Sequence, residues 1–308
     1  MSQIQNVPPP QPPQPRVWTS LELINWTKAH FEKKGLESPR LEAELLLAAA
    51  LGCPRIRLYV DFEKPVPADK LAVFRDYVKR RAETREPLQY ILGQTDFIDL
   101  KIKVTRAALI PRPETEILAL WAVEKAKAVA GESVTVVDLC TGTGCVALYI
   151  ALKEPRAKIV ATDISADALA LARENATAAQ LDARVTFAAG DLFAALPPEL
   201  KGAIDVLVAN PPYIDPADRA TLQPEVRDHE PATALFAGDK GLEIIHKIIA
   251  GASEWLKPGG VLGIEFGFGQ DAVIRDAASA IKTMESIEIG SDASKKNRFL
   301  YAKRVVPV

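Results

Sequence analysis

From about Arg112 to Glu265, short apolar runs alternate with amphipathic stretches, and this alternation restricts the fold more than any other feature of the chain. The runs are 134–139, 158–162, 185–188, 205–209 and 261–265, and helical patterns begin at Val146, Asp167 and Leu242. A strand covered on both faces reads as a nearly continuous apolar run, whereas a strand with one wet face alternates. Such strands separated by helices predict an α/β fold, with a doubly wound, mostly parallel sheet carrying helices on both faces.

The rest of the chain divides by composition. Residues 1–16 are dense in Pro and Gln and bury too little to offset ordering, so they predict a disordered tail with polyproline II character. Residues 17–85 read as a helical domain that lacks any catalytic constellation, so its expected role is docking of a protein substrate. Ser38 followed by Pro39 marks a helix start, Leu41, Leu45 and Ala48 share one face, and Leu71, Phe74 and Val78 form a stripe on a later helix. Asp76 and the run Lys79-Arg80-Arg81 are assigned to the solvated face of that later helix. Residues 86–111 read as a linker with a hairpin, because Ile98, Leu100, Ile102 and Val104 alternate with polar residues. The doubly wound domain is assigned to 112–308.

Open α/β sheets bind ligands beyond the carboxyl ends of their strands. Three such ends carry chemistry here. After 134–139 the sequence is Asp138-Leu139-Cys140-Thr141-Gly142-Thr143-Gly144, where glycines let the backbone turn tightly against a ligand at a helix start. The spacing of Gly142, Gly144 and Ala147 also fits a dinucleotide loop, but Asp138 would repel a pyrophosphate and suits a cationic amino group. Asp163 ends the second strand, where a carboxylate binds ribose hydroxyls or caps the following helix. Gly190-Asp191-Leu192-Phe193 offers a partner for an adenine amine, with Leu192 and Phe193 either flanking its ring or belonging to the core. After Val206-Leu207-Val208-Ala209 comes Asn210-Pro211-Pro212-Tyr213, a stiff loop that sets a side-chain amide beside an aromatic ring.

A formal charge of −2 over 308 residues provides no global attraction for nucleic acid. Cys53, Cys140 and Cys145 with His30, His229 and His246 make no metal-type spacing, so no metal is expected. The absence of a long apolar segment predicts no membrane association and a cytoplasmic protein.

Together these motifs resemble a Rossmann-like class I S-adenosylmethionine-dependent methyltransferase acting on amino or amide nitrogen. Glu86-Pro87-Leu88-Gln89-Tyr90-Ile91-Leu92-Gly93, Leu109-Ile110-Pro111-Arg112-Pro113-Glu114-Thr115-Glu116, and Glu225-Val226-Arg227 with Glu230-Pro231 and Ala234-Leu235 narrow the likeness. They resemble the glutamine N5-methyltransferases of peptide chain release factors, the HemK/PrmC family. The resemblance implies methylation of the glutamine in a Gly-Gly-Gln motif, with release factors as partners and S-adenosyl-L-methionine as cofactor. Cofactor contacts fall on Asp138, Cys140, Thr141, Gly142, Thr143, Gly144, Asp163, Asp191, Leu192 and Asn210, and catalysis and substrate binding on Asn210, Pro211, Pro212 and Tyr213. The Asn210 oxygen and the Pro211 carbonyl are expected to accept the substrate amide N–H groups, with Tyr213 packed on the amide plane. Cys140 departs from the glycine usual in the family, and Ser291 to Asn297 departs from a glycine-containing turn before Arg298. The competing readings are an N6-adenine DNA or RNA methyltransferase, which uses a similar loop on a flipped base, and a non-catalytic nucleotide-binding module.

Overall fold

The computed structural model describes residues 17–307, which part between Leu88 and Gln89 into two compact units. The Pro/Gln-rich stretch 1–16 lies outside the described residues.

The first unit is helical. Helix α1 (Ser20–Lys33) starts from a reciprocal capping box in which Thr19 Oγ1 accepts the Glu22 N–H at 3.3 Å and the Glu22 carboxylate accepts the Thr19 N–H at 2.9 Å. Helix α2 (Pro39–Leu51) has Pro at its first position and ends on Gly52, whose φ of 68° closes the left-handed cap. Its buried face differs in part from the expected one: Leu41 is 42% exposed and Leu45 half-buried, while Ala48 is buried as expected, together with Ala43, Leu46, Leu47 and Ala50. Two acids turn the helix this way. Glu42 is bound by Arg81 through contacts of 2.6 and 3.1 Å, and Glu44 by the Tyr59 hydroxyl at 2.6 Å and Arg55 at 2.9 Å. The short helix α3 (Arg57–Val60) precedes α4 (Ala68–Glu83), where Phe74 and Val78 are buried as the stripe predicts. The solvated reading of 79–81 fails for Arg81, which is 6% exposed because its guanidinium pairs with Glu42. Arg80 is also engaged, through two bonds of 2.8 and 2.9 Å to Glu86.

Helix α5 (Leu88–Leu92) leads into the second unit, where β1 (Gln94–Phe97) and β2 (Leu100–Lys103) pair as an antiparallel hairpin. Leu100, Ile102 and Val104 are buried, whereas Ile98, expected in the strand, sits in the turn with φ 51°. The remaining elements are α6 (Pro113–Ala128), β3 (Val134–Leu139), α7 (Cys145–Lys153), β4 (Ala157–Asp163), α8 (Ala166–Ala178), β5 (Val185–Ala189), β6 (Ile204–Ala209), α9 (Pro224–His229), α10 (Ala232–Leu235), the single distorted turn α11 (Gly238–Gly241), α12 (Glu243–Trp255), β7 (Leu256–Glu265), α13 (Asp271–Ser279), β8 (Met284–Ser291) and β9 (Asn297–Arg304). Seven strands form one sheet in the order β5-β4-β3-β6-β7-β9-β8, parallel from β5 to β7 and antiparallel at β9 and β8.

Alternate residues of β3 serve two cores. Val134 and Val136 pack with α6, α7 and the hairpin, and Val137 and Leu139 pack with α12 and α13. Every residue of β6 is buried, including Asp205, whose carboxylate accepts the Thr135 N–H at 2.8 Å and pairs with Lys257. The chain leaves β3 in both directions, so the carboxyl ends of β3, β4 and β6 border the crevice where such sheets bind ligands. Asn175 of α8, 1% exposed, fastens the hairpin to this edge. Its Oδ1 accepts the Lys103 N–H at 2.8 Å, and its Nδ2 donates to the carbonyls of Lys103 at 3.1 Å and Thr143 at 3.0 Å.

Candidate active site

A cavity of about 320 Å³ opens at those strand ends. Its floor is the β3–α7 loop. Cys140, Gly142 and Gly144 hold φ of 59°, 54° and 82°, so three left-handed residues fold the backbone back within five positions. A methyl group on Gly144 would lie 3.1 Å from the Ala172 Cβ, which keeps the loop tight on α8. Cys140 takes the backbone that a glycine adopts freely, so this departure from the family pattern leaves the turn intact.

Asp138, only 2% exposed, accepts the Thr141 hydroxyl at 2.6 Å. Burial pushes its carboxyl up to about 7, outweighing the bonds from Thr141 and the Ala147 backbone, and the charge of Asp163 acts in the same direction. Asp163 lines the cavity, and its two oxygens accept the N–H groups of Ser165 and Gly142, each at 2.9 Å, while the cap of α8 is Ser165, whose hydroxyl accepts the Ala168 N–H. Burial raises the Asp163 pKa from the ordinary value, against the bonds from the Ser165 and Gly142 backbone. Gly190, at φ 153°, leaves no room for a side chain, since an added Cβ would fall 2.9 Å from the Ala195 Cβ. Asp191 and Leu192 line the cavity, but Phe193 does not; it stacks on Trp255 with ring centroids 5.7 Å apart. Phe193 is therefore core.

The loop after β6 is divided as well. Asn210 and Pro212 reach the cavity wall, while Pro211 is buried and, like Tyr213, lies off that wall. The Asn210 Nδ2 donates to Thr115 Oγ1 at 3.0 Å, and its Oδ1, shielded from solvent, has no hydrogen-bond partner among the described residues. The Tyr213 hydroxyl donates to Glu265 Oε1 at 3.3 Å, and its carbonyl accepts Gln270 Nε2 at 3.0 Å. Glu265 is 1% exposed and also accepts the Thr115 hydroxyl at 2.7 Å. Burial pushes its carboxyl up to about 7 against those two bonds.

Further walls come from 107–109, 111–112 and Thr115, from Ile164, and from 233–234 and 236–238 with Glu243 and Ile244, none of which sequence reasoning assigned to the site individually. A signal existed for the first group, which overlaps the singled-out stretch 109–116. Within it Arg112 pairs with Glu230, whose other oxygen accepts the Ile110 N–H at 3.2 Å, and Glu116 accepts the Ile98 N–H at 3.0 Å. The Tyr90 hydroxyl donates to the Ala108 carbonyl at 3.0 Å. Residues from each of the singled-out stretches thus brace this wall. Among the described residues no group of His, Cys, Asp or Glu is arranged to hold a metal, and no helix is long and apolar enough to cross a membrane.

The donor set fits S-adenosylmethionine: a buried acid for a cationic group, and an acid and a glycine loop for a nucleoside, while Gly144 and Gly190 let the backbone pack closely on Ala172 and Ala195 beside the cavity.

Comparison with known proteins agrees. The PrmC N-terminal domain matches residues 22–93, and the Methyltransferase small domain matches 120–225. A release factor glutamine methyltransferase from Geobacter sulfurreducens is 44% identical over 83% of this chain and 87% of its own length. One from Chlorobaculum tepidum is 39% identical over 94% of this chain and 98% of its own length. The chain belongs to the release factor glutamine methyltransferase family. The catalytic domain of hMettl16, solved with an RNA hairpin, is 16% identical with a TM-score of 0.53, covering 75% of this chain and 84% of that one, and shares the fold. In this member of the release factor glutamine methyltransferase family, the second departure from the family pattern is also met by geometry: Lys295 takes φ 60°, and Asp292 accepts the N–H groups of Ser294 and Lys296 at 2.8 and 2.9 Å.

Proposed function

We propose that this protein methylates the side-chain amide nitrogen of the glutamine in the Gly-Gly-Gln motif of peptide chain release factors, with S-adenosylmethionine as methyl donor. The observation that carries the reading is the Asn210 Oδ1. A shielded acceptor without a partner is costly, and it is tolerated where a ligand supplies the missing donor. A glutamine amide N–H is such a donor.

S-adenosylmethionine, when bound, supplies an activated sulfonium methyl. Asp138 would face its amino group, Asp163 its ribose, and Asp191 with Leu192 its adenine. The protein's task is orientation, because the lone pair of an amide nitrogen is delocalised into its carbonyl. Asn210 Oδ1 accepts one N–H, turns the nitrogen toward the cofactor side of the cavity and stabilises positive charge as it develops there. Pro211 and Pro212 stiffen the backbone that carries Asn210, and Tyr213 ties the segment to Glu265 and Gln270. The methylated nitrogen is acidic and gives up its proton without a dedicated base. The helical unit serves docking of the release factor, a reading supported by exposed Trp26, Ile56 and Val60, at 53%, 71% and 65%.

Labelled methyl transfer to release factor, to DNA and to neither tests the reading, with transfer expected to release factor alone. Asn210→Ala is expected to keep cofactor affinity and to lower turnover by on the order of 10² to 10³, the usual effect of deleting one preorganised polar partner. Turnover at the wild-type rate would remove Asn210 from the chemistry.

A further inference from the structure

We propose that Thr115 and Glu265 are positioning residues that fix which way round the Asn210 side-chain amide faces, and thereby give the site an acceptor rather than a donor toward the substrate nitrogen. The inference rests on the role of Asn210 proposed above.

A terminal amide has two orientations of similar shape, related by a half-turn, one offering oxygen and the other NH2. Nothing in the backbone of Asn210 chooses between them. The choice is made by the atom against which the amide rests, Thr115 Oγ1, 3.0 Å from Nδ2. A hydroxyl has one hydrogen to give. With Glu265 ionised, as it is above about pH 7, the Thr115 hydrogen goes to Glu265 Oε2 at 2.7 Å, because a carboxylate only accepts. Thr115 Oγ1 is left as an acceptor, so it takes a hydrogen from Nδ2. The opposite orientation would set Oδ1 against Oγ1 with no hydrogen between them. Tyr213 occupies the second carboxylate oxygen through its own hydroxyl at 3.3 Å, which holds Glu265 in the accepting role. Thr115 and Glu265 are 3% and 1% exposed, so water does not substitute for either. The polarity of the site therefore passes from Glu265 through Thr115 to Asn210. Wrongly oriented, Asn210 would present N–H groups to the N–H groups of its substrate.

The test is a double-mutant cycle in the full chain, measuring methyl transfer to release factor at saturating S-adenosylmethionine together with the dissociation constant for S-adenosylhomocysteine. Thr115→Val, which keeps the shape and removes the hydroxyl, is expected to lower kcat by roughly ten- to a hundred-fold while cofactor affinity stays within about twofold. Thr115→Ser is expected to recover most of that loss, since it restores the hydroxyl. In an Asn210→Ala background, Thr115→Val should cost almost nothing further. Thr115→Ala removes the hydroxyl without placing a methyl against the carboxylate and gives the same reading if the valine variant does not fold. Losses that multiply across the cycle, or a Thr115→Val enzyme as fast as wild type beside a slow Asn210→Ala, would overturn the assignment of Thr115 and Glu265. Wild-type turnover in Asn210→Ala would overturn the role of Asn210 itself and this inference with it.

Discussion

Asp138 is a carboxylic acid held away from water with one hydroxyl and one backbone N–H for company, and its protonation is coupled to both stability and binding. Its carboxyl titrates near 7 in the folded protein against an ordinary value of 3.8, chiefly because burial disfavours the charge. The folded state therefore binds this proton more tightly than the unfolded chain does. The group costs nothing below its ordinary value, and its cost grows as the pH rises toward the folded value and levels off above it. Asp138→Asn keeps an acceptor for the Thr141 hydroxyl and removes the charge. The melting temperature of the variant should match wild type near pH 4 and exceed it increasingly up to pH 7, as thermal scans across that window would register. Binding runs the other way. If Asp138 faces the cofactor's amino group, wild-type affinity for S-adenosylhomocysteine should weaken as the pH falls below about 7, whereas calorimetric titration of Asp138→Asn should give a weaker and pH-independent value.

At the scale of elements, the β3–α7 loop carries the clearest steric demand. An alanine at Gly144 would have to keep φ near 82° and press its Cβ to 3.1 Å from the Ala172 Cβ, and a left-handed non-glycine residue costs roughly 1 to 2 kcal/mol on its own. Gly144→Ala is expected to lower the melting temperature by several degrees and to weaken cofactor binding; an unchanged dissociation constant would separate the loop from the cofactor. Most elements of the sheet were legible because their residues point the same way at every level: 134–139 was bounded correctly by its apolar run alone. β7 was only half legible. It begins at Leu256, but Pro258, Gly259 and Gly260 read as a turn and hid its first five residues, which join the sheet beside a register shift at Ile204 and Val206. The buried face of α2 was misread in part because its acids find cationic or hydroxyl partners distant in sequence, with Glu42 and Arg81 separated by 39 positions. No periodicity of apolar residues reports such a pair. In the site, strand-end residues were legible because the topology of a doubly wound sheet gathers them. The sequence left Phe193 open between ligand and core, because an aromatic after a strand has the same sequence appearance in either place, and its stacking on Trp255 assigns it to the core.

For the catalytic unit as a whole, the three stretches that carried the family resemblance are mostly structural in what they touch: Arg112 holds Glu230, Glu116 holds the hairpin turn at Ile98, and Tyr90 holds Ala108. They shape one wall of the cavity, while the loop after β6 presents the acceptor. Asn175 joins two parts of this assembly that the chain separates. One side-chain amide grips Lys103 in the hairpin and the carbonyl of Thr143 in the glycine loop. Ligation at the loop is therefore expected to steady the hairpin, and by thermodynamic reciprocity an event that steadies the hairpin is expected to tighten the hold on the cofactor. Hydrogen exchange makes this visible: S-adenosylhomocysteine should slow exchange of the Lys103 amide in wild type and leave it unaffected in Asn175→Ala. On that expectation the hairpin would report whether the cofactor pocket is filled, although it does not line it.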